Sequence, residues 1–103
     1  MAAPRADLAR IRRWCASALP EDRREHARLE PEFGRLDVTI RLVDDAGSAP
    51  LARLRYTETT GLWSLHWFTE SGGYHEHRGL GRTPHVRKIL DYLSSGADPI
   101  FRL

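Results

Sequence analysis

Arginines and histidines are the residues of this 103-residue chain that could carry chemistry. Four of them fall on the polar side of segments in which apolar and polar residues alternate: Arg41, Arg53, Arg55 and His66. Alternation with a period of two indicates half-buried β-strands, so these side chains are predicted to project from one uncovered sheet face. Cross-strand neighbours on a face lie roughly 5 Å apart. The pattern therefore predicts a continuous cationic strip that could bind phosphate groups, RNA or an acidic protein surface.

The same face is also open to a plainer interpretation as a solvated surface. Asp37 and glutamates at the strand ends would then balance the arginines. Binding of nucleic acid further requires aromatic side chains that stack on bases. Trp63 and Trp67 alternate onto the apolar side of their segment, which counts against a nucleic-acid ligand.

A second candidate site is a cluster of His66, His75 and His77. His75 and His77 are two residues apart and share a face in a strand, and the turn at residues 69–73 would fold that strand onto the one with His66. Three imidazoles on one face could hold zinc with water in the fourth position. Glu76 would point to the opposite side, away from the metal. A histidine-rich polar hairpin is the alternative, and a register slip of one residue would move His75 and His77 to the other face.

A third candidate is the glycine-containing segment at residues 79–84, which Arg78 precedes and which contains Arg82. It leads into a predicted helix, and the free amides of a helix N-terminus favour an anion. The segment lacks the lysine and the spacing of a phosphate-binding loop. In the alternative interpretation, Thr83 caps the helix and Pro84 takes its first position.

The elements that position these residues follow from the hydrophobic period. Apolar residues recur at helical spacing over residues 5–19 and again from Val86 to Leu93, which predicts two amphipathic helices. Residues 21–26 are predicted to add one helical turn. Period-two segments between the helices predict strands, which lie at residues 27–33, 36–43, 52–57, 63–68 and 74–78, with a loop at 44–50.

Short links between consecutive strands require an antiparallel meander. The predicted fold class is therefore α+β, with a four- to five-stranded antiparallel meander and an N-terminal and a C-terminal helix packed on one face. The other sheet face is expected to be wet. A length of 103 residues fits a single domain spanning residues 1–103.

Composition excludes several classes of protein. The chain is 41% hydrophobic and 29% charged, which is typical of a globular protein rather than a disordered one. Cys15 is the only cysteine, so neither an intramolecular disulfide nor a cysteine-based zinc knuckle can form. It falls on the apolar stripe of the first helix, where it is predicted to be an inert, buried thiol. Without an apolar leader or a membrane-length apolar run, we expect a cytoplasmic protein with no membrane contact.

Five segments follow one another in a specific order: Ile11-Arg12-Arg13-Trp14-Cys15, Ala52-Arg53-Leu54-Arg55-Tyr56, Gly61-Leu62-Trp63-Ser64-Leu65-His66-Trp67, His75, and Asp98-Pro99-Ile100-Phe101. In this order and spacing the chain resembles domain-of-unknown-function family 3024, a set of small uncharacterised bacterial proteins, over about residues 7–101. It departs from the family pattern at His66, where tyrosine is more usual, and in a short loop at residues 44–50. The resemblance implies a cytoplasmic bacterial domain and no particular activity.

The leading hypothesis is a non-catalytic interaction module, because no segment forms a catalytic set while one sheet face lacks a cover. That face would dock an unknown protein partner or a second copy of the chain as a homodimer. The first alternative is an anion- or nucleic-acid-binding domain that uses the cationic face together with Arg78 and Arg82. The second alternative is a metal-dependent enzyme at the histidine cluster, with zinc as the possible metal; no other cofactor is expected.

Overall fold

The computed structural model describes residues 3–101 of the chain. Its elements, in chain order, are helix α1 (Arg5–Ser17), a 3₁₀ turn (Glu21–Arg23), strands β1 (Ala27–Phe33), β2 (Asp37–Asp44), β3 (Gly47–Thr57), β4 (Leu62–Phe68) and β5 (Tyr74–Glu76), and helix α2 (Val86–Ser95). The predicted α+β class and the order of elements are confirmed. Neither helix of the described part is long and apolar enough to cross a membrane.

The five strands form one antiparallel sheet in the order β1-β2-β3-β4-β5. Every strand pairs with its sequence neighbour, as short connections dictate. Residues that pair across strands form rows that share a face. One row contains Glu32, Thr39, Arg53, His66 and Glu76, and the next contains Asp37, Arg55 and Ser64.

The predicted loop at residues 44–50 is mostly strand. The turn occupies only residues 45 and 46, and the Asp44 carboxylate accepts a hydrogen bond from the amide of Ala46 at 2.9 Å. The register then shifts, because Ile40 pairs with Ala52 while Arg41 pairs with Pro50. The extra residue makes a β-bulge, one of the few sheet positions that tolerate a proline nearby. The sequence pattern did not predict this hairpin, because the segment consists of polar residues followed by a proline.

Both helices pack on one face of the sheet, which we call the inner face. The largest fully buried side chains lie between these two layers: Ile11, Val38, Ile40, Leu54, Trp63, Leu65, Val86, Ile89 and Leu93. Fully burying an aliphatic side chain contributes roughly 1.5–3 kcal/mol relative to exposure. Trp63 also donates its indole N–H to the carboxylate of Asp7 at 2.9 Å, which ties β4 to α1.

Helix α2 begins later than the predicted Thr83-Pro84 start. Thr83 instead forms an isolated bridge to Trp63, with backbone hydrogen bonds of 2.7 and 3.0 Å. Its side chain accepts a hydrogen bond from the amide of His85 at 3.0 Å, and the helix starts only at Val86. The predicted end is confirmed, since Gly96 follows the helix with φ +68, a conformation that favours glycine.

The C-terminal segment packs back on the core of the inner face, with Phe101 buried. His77 holds it there. The amide of Leu80 donates to Nδ1 of His77 at 3.1 Å, so the proton lies on Nε2, which is 2.8 Å from the Asp98 carboxylate. The hydroxyl of Tyr92 donates to the same carboxylate at 3.3 Å. Because His77 contacts both the loop after β5 and the tail, it links the edge of the sheet to α2.

We predict that Asp98→Asn lowers the free energy of unfolding at pH 7, and that the difference from wild type shrinks below about pH 4. Hydrogen bonds from the Ile100 amide and from His77 lower the pKa of Asp98 from its ordinary 3.8. Its stabilising contribution is therefore present above that value and lost as pH falls through the lower folded pKa. Urea unfolding followed by circular dichroism from pH 7 to pH 3 measures both effects.

Asp91→Asn is the matched control. Asp91 is exposed on α2, 3.8 Å from Arg87, and an exposed ion pair of this kind contributes about 0–1 kcal/mol. Equal unfolding midpoints for Asp98→Asn and wild type at pH 7 would contradict the role of the His77 contact.

Candidate functional site

The sheet face turned away from the helices, which we call the outer face, has no layer above it within residues 3–101. The register assigns these residues to it: Glu30, Glu32, Asp37, Thr39, Arg41, Arg53, Arg55, Ser64, His66, Phe68, Tyr74 and Glu76. The predicted set of Arg41, Arg53, Arg55 and His66 therefore shares one face. Their role in binding stays a prediction.

The predicted continuous cationic strip does not form, because acidic residues lie in the same rows. Asp37 is the cross-strand partner of Arg55, and Glu30 is that of Arg41. Glu76 is the partner of His66. Charges of both signs are therefore interleaved on the outer face, and Arg41 is engaged with the Ser48 hydroxyl at 2.9 Å.

Arg53 is the most constrained cation of the outer face. Its guanidinium carbon lies 4.2 Å from the ring centre of Tyr74 and 5.8 Å from that of Phe68. Its Nε donates to the Thr39 hydroxyl at 3.3 Å. No carboxylate of the described residues lies within 4.0 Å of it, and its terminal amino groups make no hydrogen bond in that part of the chain. Stacking on rings thus holds a guanidinium whose charge is unpaired.

Phe68 and Tyr74 are functional candidates that sequence reasoning missed. They are cross-strand partners, and both project on the side of His66. Tyr74 is 40% exposed, which makes it one of the few large apolar side chains open to solvent. Alternation within β4 already places Phe68 opposite the tryptophans, so that signal was present. The outward position of Tyr74 depends on the pairing of β5 with β4, which the local pattern does not specify.

His66 is buried beneath these side chains, with 7% of its surface exposed. Its ring meets the Tyr74 ring edge-on, with centres 5.5 Å apart. Its Nδ1 is buried and has no hydrogen-bond partner among residues 3–101. Burial lowers the pKa of His66 below its ordinary 6.5, the Glu76 carboxylate opposes this change, and nearby arginines reinforce it. The imidazole is therefore neutral at pH 7.

Ser64 and His66 lie at the distance of a nucleophile and its base, with the serine hydroxyl 2.9 Å from Nε2. Activation of a serine also needs a group that orients the imidazole. Glu76 is the nearest carboxylate in the row, but Arg82 binds it through two hydrogen bonds of 3.0 and 3.1 Å. The Ser64–His66 pair is therefore a buried polar contact, and it lacks the third group of a catalytic triad.

The structure separates the predicted histidine cluster. His66 pairs with Glu76, so His75 falls on the inner face, where its ring lies 5.0 Å from that of Trp67. His77 is engaged with Asp98. Residues 3–101 hold no group of three or more His, Cys, Asp or Glu side chains arranged for a metal ion. The prediction that the three histidines share a face was wrong by one residue of register. A shift of one residue moves every side chain of a strand to the opposite face, so a period-two pattern is most sensitive to this error.

The predicted anion site at residues 79–84 is also rearranged. Arg82 binds Glu76 at the β5 edge, and its hydrogen bond is the main reason that the pKa of Glu76 is lowered. The exposed Arg78 adds a smaller effect on the same carboxylate. Thr83 is bridged to β4, so the glycine-containing segment does not lead directly into the first turn of α2.

The thiol of Cys15 is not available as a nucleophile. The side chain is buried against the core, and burial raises its pKa to about 12. The thiol is therefore protonated at neutral pH and contributes only to packing, as the sequence predicts.

We predict that the wild-type protein loses stability between pH 7 and pH 5, and that His66→Phe reduces this loss. The lowered pKa of His66 means that the unfolded chain binds more protons than the folded chain below about pH 6.5. Urea unfolding at the two pH values measures the effect. His26→Gln, at an exposed histidine, is the control that should keep the wild-type difference. An unchanged pH dependence in His66→Phe would show that His66 is not its source.

Comparison with known proteins gives the family but no activity. Searches of curated proteins and of solved structures give no match. The family model for a domain of unknown function, DUF3024, matches residues 2–102, which is nearly the whole chain. The chain therefore belongs to the DUF3024 family.

Proposed function

We propose that this protein is a non-catalytic interaction module that docks an acidic surface of a partner protein on its outer face. The observation that carries the proposal is Arg53, a guanidinium that is held in place by Tyr74, Phe68 and Thr39 without a carboxylate partner among the described residues. The buried, free thiol of Cys15 supports a cytoplasmic setting for this module.

A stacked arginine suits docking for a physical reason. A guanidinium presents a planar fork of N–H groups that matches a carboxylate in two parallel hydrogen bonds. Ordering a long, flexible side chain on binding costs roughly 0.5–1.5 kcal/mol. The rings of Tyr74 and Phe68 already restrict Arg53, so much of that cost is incurred during folding rather than on binding.

The mixed charge of the outer face favours a protein partner over nucleic acid. A phosphate backbone laid across this face would approach Glu30, Glu32 and Asp37 as well as the arginines. A protein surface can offer both signs of charge in matching positions, which gives specificity of register.

Binding of single-stranded nucleic acid is a second candidate, because aromatic residues do lie on the outer face. The 40% exposure of Tyr74 leaves ring surface open to a base, and such stacking contributes about 1–3 kcal/mol per base. The acidic residues of the same face work against it, which makes it the lesser candidate.

The test is a titration of ¹⁵N-labelled protein with hexaglutamate and, separately, with hexathymidylate. We expect hexaglutamate to shift the amide signals of Thr39, Arg53, His66 and Tyr74. Arg53→Gln should weaken this binding roughly fivefold, since an exposed ion pair contributes up to about 1 kcal/mol.

Arg12→Gln is the matched control, because Arg12 also lies over an aromatic ring, 4.8 Å from that of Phe33, but on the helix side of the sheet. This change should leave the binding of hexaglutamate intact. Shifts confined to the helices, or equal losses for Arg12→Gln and Arg53→Gln, would contradict the proposal. A response to hexathymidylate without one to hexaglutamate would favour nucleic acid.

A further inference from the structure

We propose that the partner is a second copy of the chain, docked face to face about a two-fold axis that runs parallel to the strands between β2 and β3. This inference rests on the proposed function and names its partner. Two sheets that pack face to face keep their strand directions within about 30° of each other and lie about 10 Å apart.

The outer face holds unpaired charges of opposite sign on neighbouring strands. Asp37 and Arg55 are cross-strand partners, yet neither forms an ion pair within residues 3–101. Glu32 and Arg53 occupy one row, two strands apart, and are likewise without an ion pair in that part of the chain. A patch with acids on one side and arginines on the other is complementary to a copy of itself turned by 180°.

The proposed axis exchanges β2 with β3 and β1 with β4, and it keeps each residue at its height along the strand. Asp37 of each copy then lies opposite Arg55 of the other, which gives two equivalent ion pairs. Glu32 of the second copy lies over His66, beside Arg53. Each charged residue of the two central strands thereby faces an opposite charge or a neutral residue of the second copy.

Displacing the axis by half a strand spacing, to lie over β2, removes this match. Each β2 residue would then face its own copy, so that Asp37 would meet Asp37 and Arg41 would meet Arg41. Like charges directly opposite each other are destabilising. The charge pattern therefore selects the axis between β2 and β3.

His66 supplies an independent observation. Its Nδ1 is buried and without a partner in the described part of the chain, although buried polar atoms in folded proteins are nearly always hydrogen-bonded. In the two-fold arrangement, the carboxylate of Glu32 from the second copy lies over His66. Movement of Tyr74, whose ring packs against that of His66 in a T-shaped contact, would let the two groups meet.

The experiment measures self-association by sedimentation equilibrium from micromolar to millimolar protein. We expect a dimer for wild type and a loss of affinity on the order of a hundredfold for Arg55→Glu and for Asp37→Arg separately, because each reversal creates two like-charge pairs, at about tenfold each. An equal mixture of the two variants should recover a heterodimer, since both pairs between unlike chains are then of opposite sign.

Arg28→Glu is the control, because Arg28 lies on the same face but pairs with Val43, one row beyond Arg41 and away from the proposed contact. It should dimerise like wild type. Circular dichroism and thermal melting establish that each variant is folded. If Asp37→Arg does not fold, Glu32→Arg replaces it, and its expected effect is a weaker dimer.

A monomeric wild type at millimolar concentration would overturn the second-copy inference, and so would reversals that leave the dimer intact or a mixture that fails to recover it. These outcomes are distinguishable from failure of the proposed function. Binding of hexaglutamate that depends on Arg53, in a protein that stays monomeric, would keep the docking face and assign it to a different acidic protein.

Discussion

The antiparallel register between β4 and β5 is the constraint on which the candidate site depends. It pairs Phe68 with Tyr74 and His66 with Glu76, and so turns one aromatic ring of β5 toward Arg53 and covers the buried imidazole. The same register places His75, which lies between Tyr74 and Glu76, on the inner face. It also lets His77, just past the strand, hold the C-terminal segment against α2. The pairing of β4 with β5 therefore determines which side chains lie on each face at this edge of the sheet.

The two faces are stabilised by different interactions. The inner face gains from burying aliphatic and tryptophan side chains against both helices, whereas the outer face relies on polar and ring contacts among its own side chains. Arg53 stacks on Tyr74 and Arg82 binds Glu76, while Ser64 and His66 are buried on this face without a second layer among residues 3–101. These contacts leave charges of both signs in the central rows without an ion pair among residues 3–101, and the proposed docking rests on them.

Local pattern predicted the elements and their faces, because a period of two or 3.6 reports directly on which side of a segment is buried. It predicted that Arg53, Arg55 and His66 share a face for the same reason. The bulge before Ala52, the bridge at Thr83 and the pairing of Tyr74 with Phe68 are contacts between segments, and no property of a single segment specifies them. A slip of one residue in β5 reverses its faces, which is why a three-histidine site was predicted and does not form.

Solvent paramagnetic relaxation with a neutral gadolinium chelate, recorded at low and at high protein concentration, tests most directly whether the outer face docks a second copy of the chain. This docking predicts that protons of Thr39, Arg53 and Arg55 lose relaxation enhancement as concentration rises, while protons on the exposed side of α1 keep theirs. Enhancement that stays constant on the outer face, or that decreases on the helix side instead, would contradict it.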